Sequence, residues 1–205
     1  MVGSPDADHY FAERPGAPSR PSTVRLVLPD VTVDLATDRG VFSFGAVDTG
    51  TKLLLTEAAS VPAGAVDLCD LGCGYGPIAV VLARRSPEAA VWAVDVNERA
   101  RVLTAENATR NGVGDRVQVC ASLDEVPAGV RFAGLWSNPP IRVGKAALHD
   151  LFRTWLPRVD GVSWLVVQKH LGADSLAAWL RESGWEVERV RSRLGYRILQ
   201  LQSAG

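Results

Sequence analysis

The stretch of sequence that decides the fold is Asp70-Leu71-Gly72-Cys73-Gly74-Tyr75-Gly76-Pro77. It follows a short apolar run that predicts a β-strand, and it precedes an apolar run, with proline at its first turn, that predicts a helix. Glycines at alternate positions allow the backbone to turn tightly and to approach a ligand closely. In an α/β sheet, ligands bind beyond the carboxyl ends of the strands. The stretch therefore predicts a ligand-binding loop at that edge of a sheet.

The spacing of these glycines and two nearby carboxylates favour one kind of ligand. The spacing is GxGxG rather than the GxGxxG that is typical of dinucleotide binding. Asp70 repels a pyrophosphate and suits a cationic amino group, while Asp95, at the end of the next predicted strand, is placed to accept both ribose hydroxyls of a nucleoside. Two plainer interpretations stay open: a loop that is only a structural turn, and an Asp95 that only stabilises a helix N-terminus.

Strand and helix patterns alternate along the rest of the chain. Near-continuous apolar strands separated by helices are typical of a mostly parallel, doubly wound α/β sheet. The last two strands are expected to pair antiparallel, and Asp174 is expected to cap the last helix. The predicted strands are 24–28, 31–35, 66–71, 91–95, 117–120, 132–137, 162–168, 185–190 and 196–201, and the predicted helices are 49–60, 77–85, 98–111, 145–156 and 174–183.

The same patterns divide the chain into an arm and one domain. Residues 1–22 are polar and rich in Pro and Gly, which predicts a flexible N-terminal arm. The domain is expected over residues 23–205. It consists of a hairpin region, 23–48, which turns at Pro29-Asp30, and a Rossmann-like core, 49–205.

The composition is that of one ordinary globular domain. Of the 205 residues, 47% are hydrophobic and 22% are charged. No apolar run approaches the roughly 20 residues of a membrane span, and the start of the chain lacks the apolar segment of a secretory signal, so a cytoplasmic protein without a membrane partner is expected. The three cysteines form no CxxC pair, which favours buried, reduced thiols over a disulfide framework or a metal site.

The charge is unevenly distributed along the chain. A net charge of -1 does not mark a nucleic-acid-binding protein, but residues 138–205 carry ten Lys/Arg against six Asp/Glu. A local basic surface can bind phosphate without a high overall pI, although a solvated charged surface explains the count equally well. The arginines expected to form such a basic edge are Arg189, Arg191, Arg193 and Arg197.

A second motif, Ser137-Asn138-Pro139-Pro140, ends the predicted strand 132–137. An amino group on a purine is a poor nucleophile because its lone pair is delocalised into the ring. The side-chain carbonyl of Asn138 and the backbone carbonyl of Pro139 can each accept one amino hydrogen, which orients the lone pair and stabilises positive charge developing on nitrogen. Asn138, Pro139 and Pro140 are therefore the candidate catalytic residues. A plain turn is the alternative, because Asn-Pro marks turns.

Together, these motifs resemble those of class I S-adenosylmethionine-dependent methyltransferases: the glycine loop with Asp95 resembles motif I and the ribose acid, and Ser137–Pro140 resembles the [DNS]PP[YFWI] motif of amino-group methyltransferases. The resemblance implies a seven-stranded sheet whose last strand is antiparallel, with S-adenosylmethionine as cofactor. Many relatives carry Asp or Asn where this chain has Leu123, so backbone or Ser122 is expected to contact the adenine. The cofactor-binding residues implied are Thr51, Asp70, Gly72, Cys73, Gly74, Gly76, Asp95, Val96, Ser122, Leu123 and Asn138.

Longer matches narrow the family. The stretches NPPIRVGK at 138–145, VVQK at 166–169, HYF at 9–11, GVFS at 40–43 and VDTGT at 47–51 resemble the short, single-domain branch of the small-subunit rRNA guanine-N2 methyltransferase C family. This resemblance implies guanine N2 of 16S rRNA as the target, ribosomal RNA or the small subunit as the partner, and a monomer. The long members carry an additional, degenerate N-terminal copy of the domain, so RNA docking by that copy is not carried over.

The same resemblance leaves the residues that hold the target base less defined. Ile141 stands where the long members have an aromatic residue that stacks on the base. Stacking is therefore expected from Tyr10, Phe11 or Phe44. The other expected substrate contacts are Ile141, Arg142, Lys145, Gln168 and Lys169.

Three other functions stay open. The first is methylation of adenine or of protein glutamine, against which Ile141 argues because those families usually place an aromatic residue there. The second is a cofactor-binding module that has lost catalysis and binds RNA or another partner. The third is a nicotinamide-dependent dehydrogenase.

Overall fold

The computed structural model describes residues 17–58, 61, 63–64 and 66–204. Short 3-10 helices at Ile141–Val143 and Lys169–Leu171 follow two of the strand ends that concern the site. In chain order, the strands and α-helices are β1 Ser22–Val27, β2 Thr32–Thr37, α1 Thr49–Glu57, β3 Asp67–Leu71, α2 Pro77–Arg85, β4 Ala90–Val94, α3 Glu98–Arg110, β5 Val117–Cys120, β6 Phe132–Ser137, α4 Lys145–Trp155, β7 Val159–Gln168, α5 Ala173–Glu182, β8 Trp185–Arg193 and β9 Tyr196–Ser203.

Within the described residues, seven strands form one sheet in the order β5-β4-β3-β6-β7-β9-β8. Strands β3 to β7 run parallel, whereas β9 is antiparallel to both β7 and β8. The predicted mostly parallel sheet with an antiparallel last strand is confirmed, as is the hairpin β1–β2. Because β3 pairs with β4 on one side and β6 on the other, the winding reverses at β3. Such a switch point opens a crevice at the carboxyl ends of the strands, where ligands bind.

Alternating side chains of the central strands bury both faces of the sheet. On one face, Leu68 belongs to a core formed with α1, α2, α3 and the hairpin. On the other face, Cys69 and Leu71 lie in a core formed with α4 and α5, which contribute the fully buried Phe152 and Leu180. Burying a Leu or Phe side chain stabilises the fold by about 1.5–3 kcal/mol. Helices on both faces therefore hold the strand ends in fixed positions.

The hairpin is fastened to the core by Asn107 of α3. The side-chain oxygen of Asn107 accepts from the N–H of Ala36 at 2.6 Å, and its amide nitrogen donates to the carbonyls of Ala36 and Tyr75 at 2.8 Å each. Because Asn107 is fully buried, water does not compete for these groups. One carboxamide thereby joins β2, α3 and the glycine loop.

Several element ends differ from those predicted. Helix α1 ends at Glu57 rather than at residue 60, and β7 begins at Val159, three residues before its predicted start. Val159 is paired with Phe132 of β6, so backbone pairing extends the strand beyond its apolar run. Strand β8 likewise continues to Arg193 through pairing with β9, although its side chains there are polar.

The prediction that Asp174 caps α5 is wrong. Gly172, with φ of 99°, occupies the N-cap position and has no side chain that could cap the helix. Asp174 lies in the first turn of the helix and forms ion pairs with Arg197 and, at 3.3 Å, with Arg189. Arg197 is only 7% exposed and lies against α5, so its predicted place on a basic edge is also wrong.

The described part of the predicted arm is hydrogen-bonded to the domain. Ser19 Oγ and the N–H of Arg20 donate to the carboxylate of Asp38, and Arg99 Nη1 donates to the carbonyl of Ala17 at 3.0 Å. Strand β1 begins at Ser22, one residue before the predicted start of the domain. Residues 1–16 lie outside the described residues, so a flexible arm there stays a prediction.

The cysteines Cys69, Cys73 and Cys120 are free and buried, as predicted. In the part of the chain that the structure describes, no group of three or more His, Cys, Asp or Glu side chains is arranged to hold a metal ion. The helices of that part are all too short or too polar to cross a bilayer.

Candidate active site

The loops that follow β3, β4 and β6 meet at the switch point of the sheet and line one cavity of about 790 Å³. This volume lies in the range of small-molecule binding sites. The segment 41–48, residues after β5, residues at the end of β7, part of α4 and Tyr196 also contribute to its wall. The predicted site residues that line it are Gly72, Gly74, Asp95, Val96, Ser122, Leu123, Asn138, Pro139, Pro140, Ile141, Arg142 and Gln168.

The glycine loop adopts a backbone conformation that L side chains rarely allow. Gly72, Gly74 and Gly76 have φ angles of 78°, 57° and 86°. A Cβ added to Gly76 would lie 2.9 Å from Thr104, so Gly76 permits close packing of the loop on α3 and does not line the cavity. A Cβ added to Gly74 would meet no atom within 4 Å. The cavity side of the loop is therefore bare backbone, open to a ligand.

Asp95 is one of the acidic residues of the cavity wall and directly follows β4. Its Oδ2 accepts from the N–H of Gly74 and its Oδ1 from the N–H of Asn97, each at 2.9 Å. Each carboxylate oxygen keeps a second lone pair, which is what two ribose hydroxyls require. Burial raises the pKa of Asp95, and the bonds from Asn97 and Gly74 oppose that rise. These two backbone bonds also fix the orientation of the carboxylate.

Asp70, at the start of the glycine loop, is hydrogen-bonded to the first turn of α2. Its Oδ2 accepts from the N–H of Ala79 in the first turn of α2 at 2.9 Å, and its Oδ1 has no hydrogen-bond partner among the described residues. Complete burial, with a smaller contribution from Asp95, raises the pKa of Asp70 to about 8. Asp70 is not among the residues that line the cavity. The structure thus shows Asp70 as an anchor for α2, and a direct bond from it to a cationic ligand stays a prediction.

Two other predicted cofactor residues lie beside the main cavity. Thr51 and Cys73 line a smaller cleft that shares Gly72 and Gly74 with it. The sulfur of Cys73 lies 3.5 Å from the hydroxyl of Thr104, so this side chain is directed towards α3. The hydroxyl of Thr51 accepts a hydrogen bond from the side chain of Asn138.

Hydrogen bonds fix which end of the Asn138 side-chain amide faces the cavity. Its Nδ2 donates to Asp48 Oδ2 at 2.9 Å and to Thr51 Oγ1 at 3.1 Å, which occupies both amide hydrogens. No donor from the described residues reaches Asn138 Oδ1, so this oxygen is available at the cavity. The carbonyl of Pro139 accepts from the N–H of Ile141 at 2.8 Å and keeps one lone pair. The two carbonyl groups that the sequence predicts for amine binding are therefore both present.

Asp48 is a residue whose role the sequence did not predict. Asp48 Oδ2 also accepts from the N–H of Thr51 at 2.9 Å, which makes it the N-cap of α1. Its Oδ1 accepts from the hydroxyl of Tyr196 at 3.2 Å, and that hydroxyl accepts from Gln168 Nε2 at 3.0 Å. An acid three residues before Thr51 signals a helix cap, but no local pattern signals a bond to Asn138.

The predicted substrate contacts fall into three groups. Ile141, Arg142 and Gln168 line the cavity, whereas Lys145 and Lys169 are exposed and do not. Tyr10 and Phe11 lie outside the described residues. Phe44 is not among the lining residues either. The sequence did not single out Phe42, which is 45% exposed and lines the cavity.

The predicted basic edge on β8 is largely neutralised by ion pairs. Arg191 and Arg193 pair with Glu57 at 2.9 Å and 3.7 Å, and Arg189 pairs with Asp174. Arg142 has no ion pair with the described residues and lies at the cavity. Arg142 is therefore the better-placed cation for a phosphate group.

The family profile of the Methyltransferase small domain matches residues 32–200 of this chain. The chain belongs to this methyltransferase family. The matched residues include both motifs that line the cavity, the glycine loop and Ser137–Pro140. Membership confirms the family that the sequence motifs predict and sets the dehydrogenase alternative aside.

Two curated relatives of this methyltransferase differ in how much of their length it covers. The chain is 35% identical to the uncharacterised protein YbxB of Bacillus subtilis (strain 168), over 95% of this chain and 98% of that protein. It is 36% identical to the ribosomal RNA small subunit methyltransferase C of Pseudomonas fluorescens, over 74% of this chain and 49% of that protein. The chain thus spans about half the length of the methyltransferase C relative.

Solved structures show the same fold. The Thermus thermophilus 16S rRNA N2 G1207 methyltransferase (RsmC), solved in complex with AdoMet and guanosine, matches with a TM-score of 0.76 and 23% identity, over 92% of this chain and 52% of that chain. The ribosomal protein L11 methylase of Lactobacillus delbrueckii subsp. bulgaricus matches with a TM-score of 0.60 and 19% identity, over 76% and 77% of the two chains. At these identities the likeness shows the class I methyltransferase fold.

Proposed function

We propose that this methyltransferase transfers a methyl group from S-adenosylmethionine to the exocyclic amino nitrogen N2 of guanine in 16S ribosomal RNA. The observation that carries the proposal is the orientation of Asn138. Its amide nitrogen is bonded to Asp48 and Thr51, which leaves Oδ1 as an acceptor in the cavity lined by the glycine loop and Asp95. An acceptor at this place suits an amino group with two hydrogens to donate.

The residues of the cavity fit S-adenosylmethionine. Open backbone at Gly74 allows close approach of the methionine part, and the free lone pairs of Asp95 suit the ribose. Leu123 and the α4 residues Leu151 and Trp155 give an apolar wall suited to a flat base. When bound, this cofactor supplies the methyl group on a positively charged sulfur, which is a good leaving group.

The chain contributes orientation and charge stabilisation. Asn138 Oδ1 and the carbonyl of Pro139 each accept one hydrogen of the amine, so the nitrogen lone pair is directed away from both. Positive charge that develops on the nitrogen is stabilised by the two carbonyl dipoles. Methyl transfer leaves a positive charge on the ring-attached nitrogen, which makes its hydrogens strongly acidic, so one of them passes to water without a dedicated base.

Guanine in ribosomal RNA is favoured by the relatives and by the cavity. The relatives named ribosomal RNA small subunit methyltransferase C support an RNA substrate, and the guanosine bound in the Thermus thermophilus neighbour supports guanine. Phe42 offers an aromatic face, and Arg142 offers a cation for a phosphate. A target base swung out of its stack into this cavity meets Asn138.

Transfer of labelled methyl from S-adenosylmethionine to small ribosomal subunits tests the proposal. We expect label in the RNA fraction and, after digestion to nucleosides, in N2-methylguanosine. The Gln202→Ala variant, which removes an exposed carboxamide near the end of β9 rather than one at the cavity, is the control and is expected to retain activity. Label in methyladenosine or in ribosomal protein contradicts the guanine target, and no incorporation favours a cofactor-binding module without catalysis.

A further inference from the structure

A continuous chain of hydrogen bonds links two carboxamides of the cavity wall. Gln168 Nε2 donates to the hydroxyl of Tyr196 at 3.0 Å, and that hydroxyl donates to Asp48 Oδ1 at 3.2 Å. Asn138 Nδ2 donates to the other oxygen of Asp48 at 2.9 Å. The chain connects the ends of β6 and β7 through the start of β9 and the N-cap of α1.

The carboxylate at the centre of this chain determines the direction of every bond in it. A carboxylate only accepts, so Asn138 must present its amide nitrogen to Asp48 and Tyr196 must donate its single proton. The tyrosine oxygen can then only accept, so Gln168 must also present its nitrogen. As a result, Asn138 Oδ1 and Gln168 Oε1 are both free of donors from the described residues, and both side chains line the same cavity.

The packing around Tyr196 fixes the position of this chain. A Cβ added to Gly50 of α1 would lie 2.6 Å from the ring of Tyr196, so only glycine allows the ring to lie this close to the helix start. The same Asp48 carboxylate is held by the N–H of Thr51 at 2.9 Å. The carboxylate is therefore anchored independently of either carboxamide.

We propose that Asp48, with Tyr196, is a specificity-determining positioning residue. It holds Asn138 and Gln168 so that each presents its side-chain carbonyl oxygen to the cavity. The site therefore selects a base with adjacent N–H donors. Guanine has this edge, because its N2 amino group lies beside N1–H. Adenine has an acceptor nitrogen on each side of its amino group, which places lone pair against lone pair. This inference rests on the proposed function and assigns Asn138 to the amino group and Gln168 to N1–H.

Nucleoside binding to the protein saturated with S-adenosylhomocysteine tests the inference without turnover. Two analogues separate the two contacts: inosine keeps N1–H and lacks the amino group, and 2-aminopurine riboside keeps the amino group and has an acceptor at N1. Calorimetry on the native protein is expected to show guanosine binding about tenfold or more tighter than either analogue, because a mismatched polar edge is left unpaired.

Three variants should change these ratios in different ways. In Gln168→Ala and Tyr196→Phe, we expect the preference for guanosine over 2-aminopurine riboside to fall to within about threefold while the preference over inosine remains. In Asp48→Asn, both preferences should fall, because the replacement can donate as well as accept. Gln168 is exposed and Tyr196→Phe keeps the ring on Gly50, so unchanged S-adenosylhomocysteine affinity is expected to confirm folding in both.

The outcomes separate this inference from the proposed function. If the unaltered protein favours guanosine and both Gln168→Ala and Tyr196→Phe keep the same preferences, the role given to Asp48 and Tyr196 is overturned and the proposed function is not. Adenosine bound by the unaltered protein as tightly as guanosine overturns both the guanine target and the inference. The control Gln202→Ala, a glutamine removed from the opposite end of β9, should keep every ratio.

Discussion

At the residue scale, the site depends on side chains whose hydrogen-bonding direction is fixed by a neighbour. Asn138 is oriented by Asp48 and Thr51, and Asp95 is oriented by two backbone N–H groups. Such prior ordering matters because an amide free to rotate presents the wrong atom for part of the time. Hydrogen-bonding groups that are already oriented contribute to catalysis because they need not reorganise when the substrate reacts.

The buried Asp70 gives a prediction about pH. Because burial raises its pKa to about 8, the folded protein keeps a proton between about pH 4 and 8 that the unfolded chain releases. This contribution to stability is complete below the unfolded pKa of about 4 and is lost as pH rises through the folded pKa. The free energy of unfolding should therefore fall with rising pH by up to about 1.4 kcal/mol per pH unit relative to Asp70→Asn, which does not titrate.

Urea unfolding of both proteins between about pH 5 and 8 measures this difference. Asn at position 70 keeps an oxygen for the N–H of Ala79, so the comparison isolates the proton. A difference between the two proteins that stays constant over this pH range contradicts the prediction.

At the element scale, the sequence predicted the strands and helices that carry the motifs but not the contacts between distant elements. The glycine loop and Asn138 were placed correctly because each follows an apolar strand, and parallel strands end at the same edge of the sheet. The bond between Asp48 and Asn138 joins residues 90 positions apart, and no periodic pattern records such a bond. The sequence predicts Phe44 as a stacking residue, whereas Phe42 lines the cavity; the loop around Ser43, which has a φ of 60°, is irregular and gives no rule for side-chain direction.

The attachment of the hairpin gives a prediction about stability. Asn107→Ala removes three hydrogen bonds, two to the backbone of the half-buried Ala36 and one to the backbone of the buried Tyr75. We expect the free energy of unfolding to fall by about 2–4 kcal/mol, measured by urea denaturation. The exposed Glu106→Ala on the same helix is the control and should change stability by less than about 0.5 kcal/mol. Equal stability of the two variants contradicts the role given to Asn107.

At the scale of the whole molecule, the sheet order explains how one small domain assembles the site. Reversal of the winding at β3 brings together the ends of β3, β4 and β6, which are far apart in sequence. The chain spans about half the length of the methyltransferase C relative. The monomeric state and the cytoplasmic location stay predictions.

The distribution of charge gives a prediction about RNA binding. Arg142 lies at the cavity without an ion pair to the described residues, whereas Arg189 pairs with Asp174. We expect Arg142→Ala to weaken RNA binding and to lower the slope of log affinity against log salt concentration by about one, with unchanged cofactor affinity. Arg189→Ala should leave the slope nearly unchanged. The opposite ranking of the two variants contradicts the assignment of Arg142 to phosphate.

The most direct test of the amine-binding role of Asn138 is the methyl-transfer rate of Asn138→Ala with cofactor bound, measured in a single turnover beside the calorimetric cofactor affinity. Loss of the oriented acceptor should lower the rate by about a hundredfold or more, in the range of other lost transition-state contacts, while cofactor affinity stays within about threefold. An undiminished rate, or a cofactor affinity that falls together with the rate, contradicts this role.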